Sequence, residues 1–224
     1  MPYNYFQPIK KTKVSEIIQN RIIDLIRDEK YLPGQKILSE REMCERFEVS
    51  RTSVREGIEG LCSTGILEKR SDGTYISNNF ESILHRPFNL FININDISLE
   101  EVHEARVAIE VQNARLAARK ATPEDLAKIK NILDKTESSD DHNERHALSA
   151  LFHKAIAEAT HNQILIASFS MIYEAIYQKT KHANTKASKG HKDVYEAIAS
   201  GDPIKAAQVM EAHLMQVEKN IKMI

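Results

Sequence analysis

The chain has few cysteines, no marked excess of charge and no long apolar segment, and each absence excludes a class of protein. Its two cysteines, Cys44 and Cys62, cannot form a disulfide framework, and both fall on apolar positions of predicted helices. We expect both to be reduced and buried, as in a cytoplasmic protein. No apolar run approaches the roughly 20 residues of a membrane span, and the N-terminal stretch lacks the apolar core of a signal peptide. The sequence therefore predicts no membrane partner.

The charge of the chain is nearly balanced. A net charge of −1 at pH 7 argues against a protein that binds any polyanion indiscriminately. If the chain binds DNA, its positive charge must be arranged locally. The candidates are Lys10, Lys11, Lys13, Arg41, Arg51 and Arg55.

A length of 224 residues suggests one large or two small domains, and the sequence has neither internal repeats nor low-complexity tracts.

Three helices are predicted in the N-terminal third. Residues 14–30 carry isoleucine and leucine on one broad face, which is typical of an amphipathic helix. A second helix should start at Ser39, which has Glu42 three residues later and so forms a capping box. A third should start at Ser50 and end at Gly65. Two short helices joined by a tight link predict a helix-turn-helix.

The third helix is the element around which we interpret the rest of the chain. Its first turns carry four hydrogen-bond donors on the outer face: Arg51, Thr52, Ser53 and Arg55. A helix with an apolar back and such donors at its N-terminus fits the major groove of DNA, where arginine can bind guanine with two hydrogen bonds. The alternative is an ordinary amphipathic helix with charged outer residues.

A β-hairpin is predicted directly after this helix. Residues 66–70 and 74–77 are typical of strands, and Asp72-Gly73 between them favours a tight turn. A hairpin in this place is a wing whose tip can touch the minor groove or the phosphates. Residues 1–78 are therefore predicted to form a winged helix-turn-helix domain.

The remainder of the chain has no convincing strand pattern. Residues 79–98 are predicted to be a linker with a possible short helix and a proline, Pro87. Helices are then predicted over residues 98–121, 122–137, 142–160, 163–181, 191–199 and 203–221. We therefore expect a mainly α fold, with the winged helix-turn-helix followed by an antiparallel α-helical bundle over residues 99–224 that binds an effector and forms the dimer.

Three stretches of the N-terminal third stand in a familiar order: LPGQKILSEREMCERFEVSRTSVREGIEGL, GILEKR and GTYIS. With them, residues 14–77 resemble the winged-helix domain of the GntR family of bacterial transcription regulators. Leu38 departs from the family pattern, which often has proline there. By this resemblance the DNA contacts would be Arg41, Arg51, Thr52, Ser53, Arg55 and Gly73. Arg41 could also simply pair with Glu45, one helical turn away.

Short motifs of the second half resemble the FCD-type effector domain of the FadR-like subfamily, over most of residues 99–216. They are RVAIE from Arg106, LFH ending at His153, ATHN ending at Asn162, HKDVYEAIASGD from His191, and MEAHL around His213. The resemblance implies that the three histidines of these motifs bind a divalent metal in the effector cavity. The fold it implies is all helical.

The proposed ligands, His153, His191 and His213, fall on different predicted helices, and imidazole suits Zn, Ni and similar ions. The family usually has an acidic fourth ligand four residues before the first histidine, where this chain has Ser149. A hydroxyl is a poor replacement for a carboxylate, so we expect weaker metal binding and a coordination position open to water or ligand. The alternative is a metal-free cavity in which the same residues face a ligand. Ordinary structural roles are expected for His85, His103, His142, His161 and His182.

Two further residues have two interpretations each. Arg106, on a helix packed by small and apolar residues, could bind a carboxylate effector or could pair internally with Glu110 at the i,i+4 spacing. Asn162 could be a hydrogen-bond donor in the cavity or the cap of the following helix.

These observations predict a cytoplasmic bacterial transcription regulator, not an enzyme, that binds an inverted repeat of double-stranded DNA as a homodimer. Its effector would be a small organic acid held through the metal and Arg106, and family analogy suggests repression released by ligand. The alternatives are a metal-free pocket for a larger apolar acid or acyl thioester, a structural DNA-binding protein with a solid bundle, and a three-histidine metallohydrolase. Against the last, no general base is visibly placed beside the histidines.

Overall fold

A computed structural model describes residues 12–78, 82–180 and 190–221. The chain divides into two compact units, Met1–Ile83 and Leu84–Ile224. The described part is mainly helical, with a single two-stranded sheet in the first unit. The predicted fold class is thus confirmed. None of the described helices is both long and apolar enough to cross a membrane.

The described residues of the first unit up to Asn78 form three helices followed by a hairpin. Its elements are α1 Val14–Arg27, α2 Glu40–Phe47, α3 Arg51–Ser63, β1 Leu67–Arg70 and β2 Gly73–Ile76. The strands pair antiparallel, with Leu67 opposite Ile76 and Arg70 opposite Gly73. This arrangement is the winged helix-turn-helix that the sequence predicts.

Side-chain caps determine where α2 and α3 begin. Ser39 accepts a hydrogen bond from the backbone N–H of Glu42, and the Glu42 carboxylate accepts one from the N–H of Ser39, so the predicted capping box is present. Ser50 likewise accepts from the N–H of Ser53. Between the helices, Glu48 adopts a left-handed conformation with φ 54°, which ends α2 and produces the tight turn.

The core of the first unit forms where α1 and α3 pack together. Ile18 and Ile22 of α1 and Val54 and Ile58 of α3 are all buried in one cluster. The helices approach closely at Gly57, where an added Cβ would lie 3.1 Å from Cγ2 of Ile18. This packing buries the apolar back of α3 and leaves its N-terminal donors outside.

The second unit is a bundle of helices, and no strand occurs in its described residues. The helices are α4 Ser82–Ile94, α5 Leu99–Lys120, α6 Pro123–Ser138, α7 His142–Glu158, α8 Gln163–Thr180, α9 His191–Ala199 and α10 Pro203–Ile221. Their main core contains alanines from α5 and α10 together with larger side chains such as Phe152 and Met210. Small residues on α5 allow neighbouring helices to approach it closely.

Helix α4 is longer than the short helix expected in the predicted linker. It has 13 residues and contains Pro87. Its Ile92 is buried with Val102 of α5 and Ile176 of α8, and Phe88 packs against this cluster. Pro87 lies inside the helix, where it removes one backbone hydrogen bond and crowds the carbonyl four residues earlier, and the apolar contacts of α4 with the bundle offset this cost.

Candidate metal centre and DNA-contact surface

Three histidines from three helices meet inside the second unit. His153 of α7, His191 at the start of α9 and His213 of α10 are 3%, 4% and 5% exposed. One potential ligand nitrogen of each lies within 4.8 Å of the others, and Nε2 of His153 is 3.4 Å from Nε2 of His213. Two nitrogens that bind one ion tetrahedrally at ~2.1 Å are about 3.4 Å apart. The His153–His213 pair therefore has the nitrogen spacing of a metal site, and the three residues lie close enough together to hold one ion.

The chemical state of His191 also suits a metal ligand. Burial, together with the neighbouring His153 and His213, lowers the pKa of His191 to about 2. Its ring is therefore neutral at physiological pH, and only a neutral imidazole can donate a lone pair to a metal ion.

Ser149 lies beside the trio, as the resemblance implies. Its Oγ is 3.3 Å from Nε2 of His191, and it stands one turn before His153 on the same face of α7. The hydroxyl brings no charge to this position. Three imidazoles and a hydroxyl would leave the charge of a divalent ion uncompensated by these residues.

Behind His153, a buried carboxylate connects the three histidines to α5. Glu110 contacts Nδ1 of His153 through one oxygen and accepts a hydrogen bond from Nε of Arg106 through the other, at 2.5 Å. Burial alone would raise the pKa of Glu110, but Arg106 and His153 hold it well below its usual value. A proton on Nδ1 of His153 would face this carboxylate and would leave the lone pair of Nε2 on the side of His213.

Arg106 and Asn162 each make the structural contact that the sequence offered as an alternative to effector binding. Arg106 is buried and pairs with Glu110 at the i,i+4 spacing. The side-chain oxygen of Asn162 accepts from the backbone N–H groups of Ile164 and Leu165 and so caps α8. An effector-binding role for either residue stays a prediction.

A tyrosine of α8 lies near the Arg106–Glu110 pair. Burial raises the pKa of Tyr173 to about 12, with Arg106 and Glu110 acting on it electrostatically. The hydroxyl therefore stays protonated and can donate a hydrogen bond. Nothing in the sequence spacing of Tyr173 links it to α5.

Two clefts open beside the histidines. One of about 200 Å³ is lined by residues that include Arg145, His191 and Lys192. The other, of about 620 Å³, lies between α9 and α10 and includes His213. Gly190 borders both clefts. Two other histidines have partners elsewhere: His85 bonds Ser170 and His161 pairs with Asp125. His182 and the side chain of His142 lie outside what the structure describes.

In the first unit, the N-terminus of α3 presents its predicted DNA-contact residues. Arg51 and Arg55 are exposed, with 73% and 52% of their side chains accessible, and Thr52 is exposed between them. Ser53 is half-buried, and its hydroxyl is 2.9 Å from that of Ser50. Arg41 is exposed and pairs with Glu45, at 3.1 Å, which is the alternative the sequence offered for it.

A carboxylate that the sequence analysis did not single out holds both arginines of α3. Oε2 of Glu40 is 3.4 Å from Nε of Arg51 and 3.3 Å from Nη2 of Arg55. A hydrogen bond from Arg55, opposed in part by burial, and the contact with Arg51 lower the pKa of Glu40. No local sequence pattern indicates this contact, because Glu40 is on α2 and the arginines are on α3.

The wing tip is fixed by a small polar cluster. The Tyr75 hydroxyl donates to the Asp72 carboxylate at 2.5 Å, Lys36 donates to the Asp72 backbone carbonyl, and the Arg70 guanidinium lies 4.3 Å from the Tyr75 ring centroid. Gly73 has φ 154°, and a Cβ there would collide with the Lys36 side chain. Lys10 and Lys11, the other predicted phosphate contacts, lie outside the described residues.

A helix-turn-helix with exposed arginines at the start of its second helix, followed by a hairpin wing, defines a winged-helix DNA-binding protein. Sequence profiles agree with this architecture. The profile “Bacterial regulatory proteins, gntR family” matches residues 14–76, and the profile “FCD domain” matches residues 101–216. The chain belongs to the GntR family of bacterial transcription regulators, and its second unit is an FCD domain.

Known proteins similar to the chain are regulators and not enzymes, which argues against the metallohydrolase alternative. The “Putative L-lactate dehydrogenase operon regulatory protein” of Escherichia coli is 31% identical over 94% of this chain and 87% of that protein. The regulator LutR of Bacillus subtilis is 28% identical over 87% of this chain and 94% of its own length. Among solved structures, Streptococcus agalactiae GntR superposes with a TM-score of 0.73 at 23% identity, covering 92% of this chain and 99% of its own, which supports the fold.

Proposed function

We propose that the chain is a homodimeric regulator whose affinity for an inverted-repeat operator is changed by a small organic acid bound at a divalent metal ion. The observation that carries this proposal is the meeting of His153, His191 and His213 in one buried centre, with a nitrogen spacing that suits Zn or Ni. The DNA-binding part of the function is that of the family. The bound metal, the effector and the dimer are what we propose beyond this DNA-binding function.

DNA recognition is assigned to α3 and the wing. Arg51, Thr52, Ser53 and Arg55 would read base edges in the major groove, because the first two turns of a recognition helix reach them. Arg41 and the wing at Gly73 would contact the phosphates and the minor groove, and they set the position of the domain on the duplex. One such domain reads too short a site, so we infer a two-fold dimer on an inverted repeat.

We infer an acidic effector from the charge of the residues at the three-histidine site. The three imidazoles are neutral ligands and Ser149 adds no charge, whereas Arg106 is already compensated by Glu110. A carboxylate of the effector would compensate the ion and fill the position that Ser149 leaves open. The name of one relative supports a small acid, since it refers to an L-lactate dehydrogenase operon.

The effect of the acid on DNA binding depends on how its affinity differs between conformations of the protein. The acid changes operator affinity only if it binds more tightly to one arrangement of the two units than to another. By analogy with the family, we propose repression that the acid releases. A metal-free pocket for a larger acid is the second candidate, and Ser149, which replaces a charged ligand, is the observation that favours it.

Metal content of the purified protein tests the proposal. We expect about one divalent ion per chain by elemental analysis without added metal, lost when His153, His191 and His213 are all changed to alanine. His161→Ala is the matched control, because this exposed histidine pairs with Asp125 away from the centre, and it should retain the ion. A folded wild-type protein without metal would contradict the metal centre and favour the metal-free pocket.

A further inference from the structure

The turn of the wing carries an exposed carboxylate. Asp72 lies between β1 and β2, directly before Gly73, and 62% of its side chain is accessible. A wing that approaches DNA meets phosphate groups, which repel a negative charge at its tip. An acidic residue in this place therefore requires a compensating charge, and it can bind only a group that donates a hydrogen bond.

Two side chains hold the Asp72 carboxylate and keep it ionised. The Tyr75 hydroxyl donates to Oδ2 at 2.5 Å, and Nζ of Lys36 is 3.5 Å from the same oxygen. The hydrogen bond from Tyr75 and the charge of Lys36 lower the pKa of Asp72. Because both contacts are made to Oδ2, Oδ1 has no side-chain partner among the described residues and stays available as an acceptor.

Lys36 compensates the charge of Asp72 and is itself fixed to the wing. It also donates to the backbone carbonyl of Asp72. The segment that carries Lys36 pairs with β2, since the backbone N–H of Ile37 donates to the Thr74 carbonyl at 3.0 Å. The carboxylate is thus held by the body of the domain as well as by the hairpin, and a group that reads a base must be presented at such a defined place.

The minor groove of DNA offers an acceptor such as Asp72 only one kind of partner. A·T pairs present only acceptors there, whereas a G·C pair adds the amino group of guanine, which is a donor. A carboxylate is also disfavoured in the narrow minor groove of A·T-rich DNA, where the negative potential is strongest. At the base edges of this groove, Asp72 would therefore distinguish G·C from A·T pairs.

We propose that Asp72 accepts a hydrogen bond from the amino group of a guanine in the minor groove, so that the operator carries a G·C pair beneath the wing and A·T pairs are rejected there. This inference rests on the proposed function, in which the wing contacts the minor groove. It gives the wing a part in reading the sequence, in addition to positioning the domain on the duplex.

The experiment changes one amino group of the DNA and one carboxylate of the protein. The operator is selected from random DNA with the full-length wild-type chain, and hydroxyl-radical footprinting locates the minor-groove pairs that are protected beside the major-groove site. Each protected guanine is then replaced by inosine, which lacks only the amino group and presents the same major-groove edge. For the wild-type protein, inosine at one of these positions should lower the affinity about ten-fold, as expected for a hydrogen bond to a charged group.

The reverse change of the DNA tests the rejection of A·T pairs. Diaminopurine paired with thymine adds the amino group to an A·T pair, and the wild-type protein should bind it more tightly than the unmodified pair. In Asp72→Ala, guanine and inosine should be bound equally, and so should diaminopurine and adenine. Measuring both proteins on both DNAs cancels any effect of inosine on the stiffness of the duplex.

Two further variants separate recognition from structure. Asp72→Asn keeps the size of the side chain, but its amide also donates, so it should tolerate A·T pairs and lose most of the preference for guanine. Asp28→Asn makes the same change at an exposed position at the end of α1 and should keep the full preference. A merely structural role of Asp72 in the turn would lower the affinity for guanine and inosine DNA by the same factor, so the ratio of the two affinities reports recognition.

The role of Asp72 is refuted if the selected operators carry A·T at the protected positions, or if the ratio of guanine to inosine affinities is the same in the wild-type protein and both Asp72 variants. A footprint without minor-groove protection beside the major-groove site would refute the wing contact of the proposed function, and this inference with it. That outcome is distinct from a failure of Asp72 alone, because the footprint is measured on the wild-type protein and unmodified DNA.

Discussion

The Glu110 carboxylate of α5 contacts Nδ1 of His153 on α7. A proton held on Nδ1 beside this carboxylate would leave the Nε2 lone pair available to a metal ion. The same carboxylate also holds Arg106, so one buried acid serves two partners on different sides. Carboxylates of this kind support the affinity of metal centres without contacting the ion.

Glu110→Gln should therefore weaken metal binding. Glutamine has one acceptor oxygen and no charge, so it cannot serve both His153 and Arg106. We expect metal affinity to fall about 10- to 100-fold, measured by competition with a chelator. Glu104→Gln makes the same change at an exposed position of α5 and should have no effect. Equal affinity in the two variants would show that Glu110 does not support the centre.

Ser149→Asp should have the opposite effect. Aspartate would place a carboxylate one turn before His153 on the same face of α7, near Nε2 of His191. An anionic ligand compensates the ion, so we expect at least about ten-fold tighter metal binding by calorimetry. Ser138→Asp, on an exposed position of α6, is the control for added charge. No gain at position 149 would count against convergence of these side chains on one ion.

Local sequence signals predicted most of the fold, because helix starts depend on neighbouring residues. Ser39 with Glu42 and Thr122 with Asp125 form capping boxes in the structure, and Ser50 caps the recognition helix. Helix α4 was underestimated because its polar residues and Pro87 are typical of a linker. Its apolar contacts with α5 and α8 are tertiary and leave no local signal.

The candidate site was predicted only in part, because some of its contacts depend on how the helices pack and leave no local signal in the sequence. Family motifs placed His153, His191 and His213 together, and the structure brings them within 4.8 Å. Glu110 could be related to Arg106 by its helical spacing, but its contact with His153 depends on how α5 and α7 are rotated against each other.

Arg51→Ala tests the recognition helix. The operator is first selected from random DNA with the wild-type protein, and binding is then measured by fluorescence anisotropy. Because Arg51 is exposed at the start of α3, its loss should cost about 1–3 kcal/mol of specific binding. Arg21→Ala, at an exposed position of α1, removes the same charge and should cost much less. Unchanged operator affinity in Arg51→Ala would refute the assignment.

Glu40→Gln should reduce the ratio of specific to non-specific DNA binding. Glu40 holds Arg51 and Arg55 on a single oxygen, which limits the positions from which the two guanidinium groups can approach bases. Its negative charge also opposes the DNA phosphates. With glutamine the arginines are freer and the surface more positive, so non-specific affinity should rise and depend more steeply on salt. Glu56→Gln makes the same charge change at an exposed position of α3. If both variants raise specific and non-specific affinity by one common factor, Glu40 acts only through its charge and does not position the arginines.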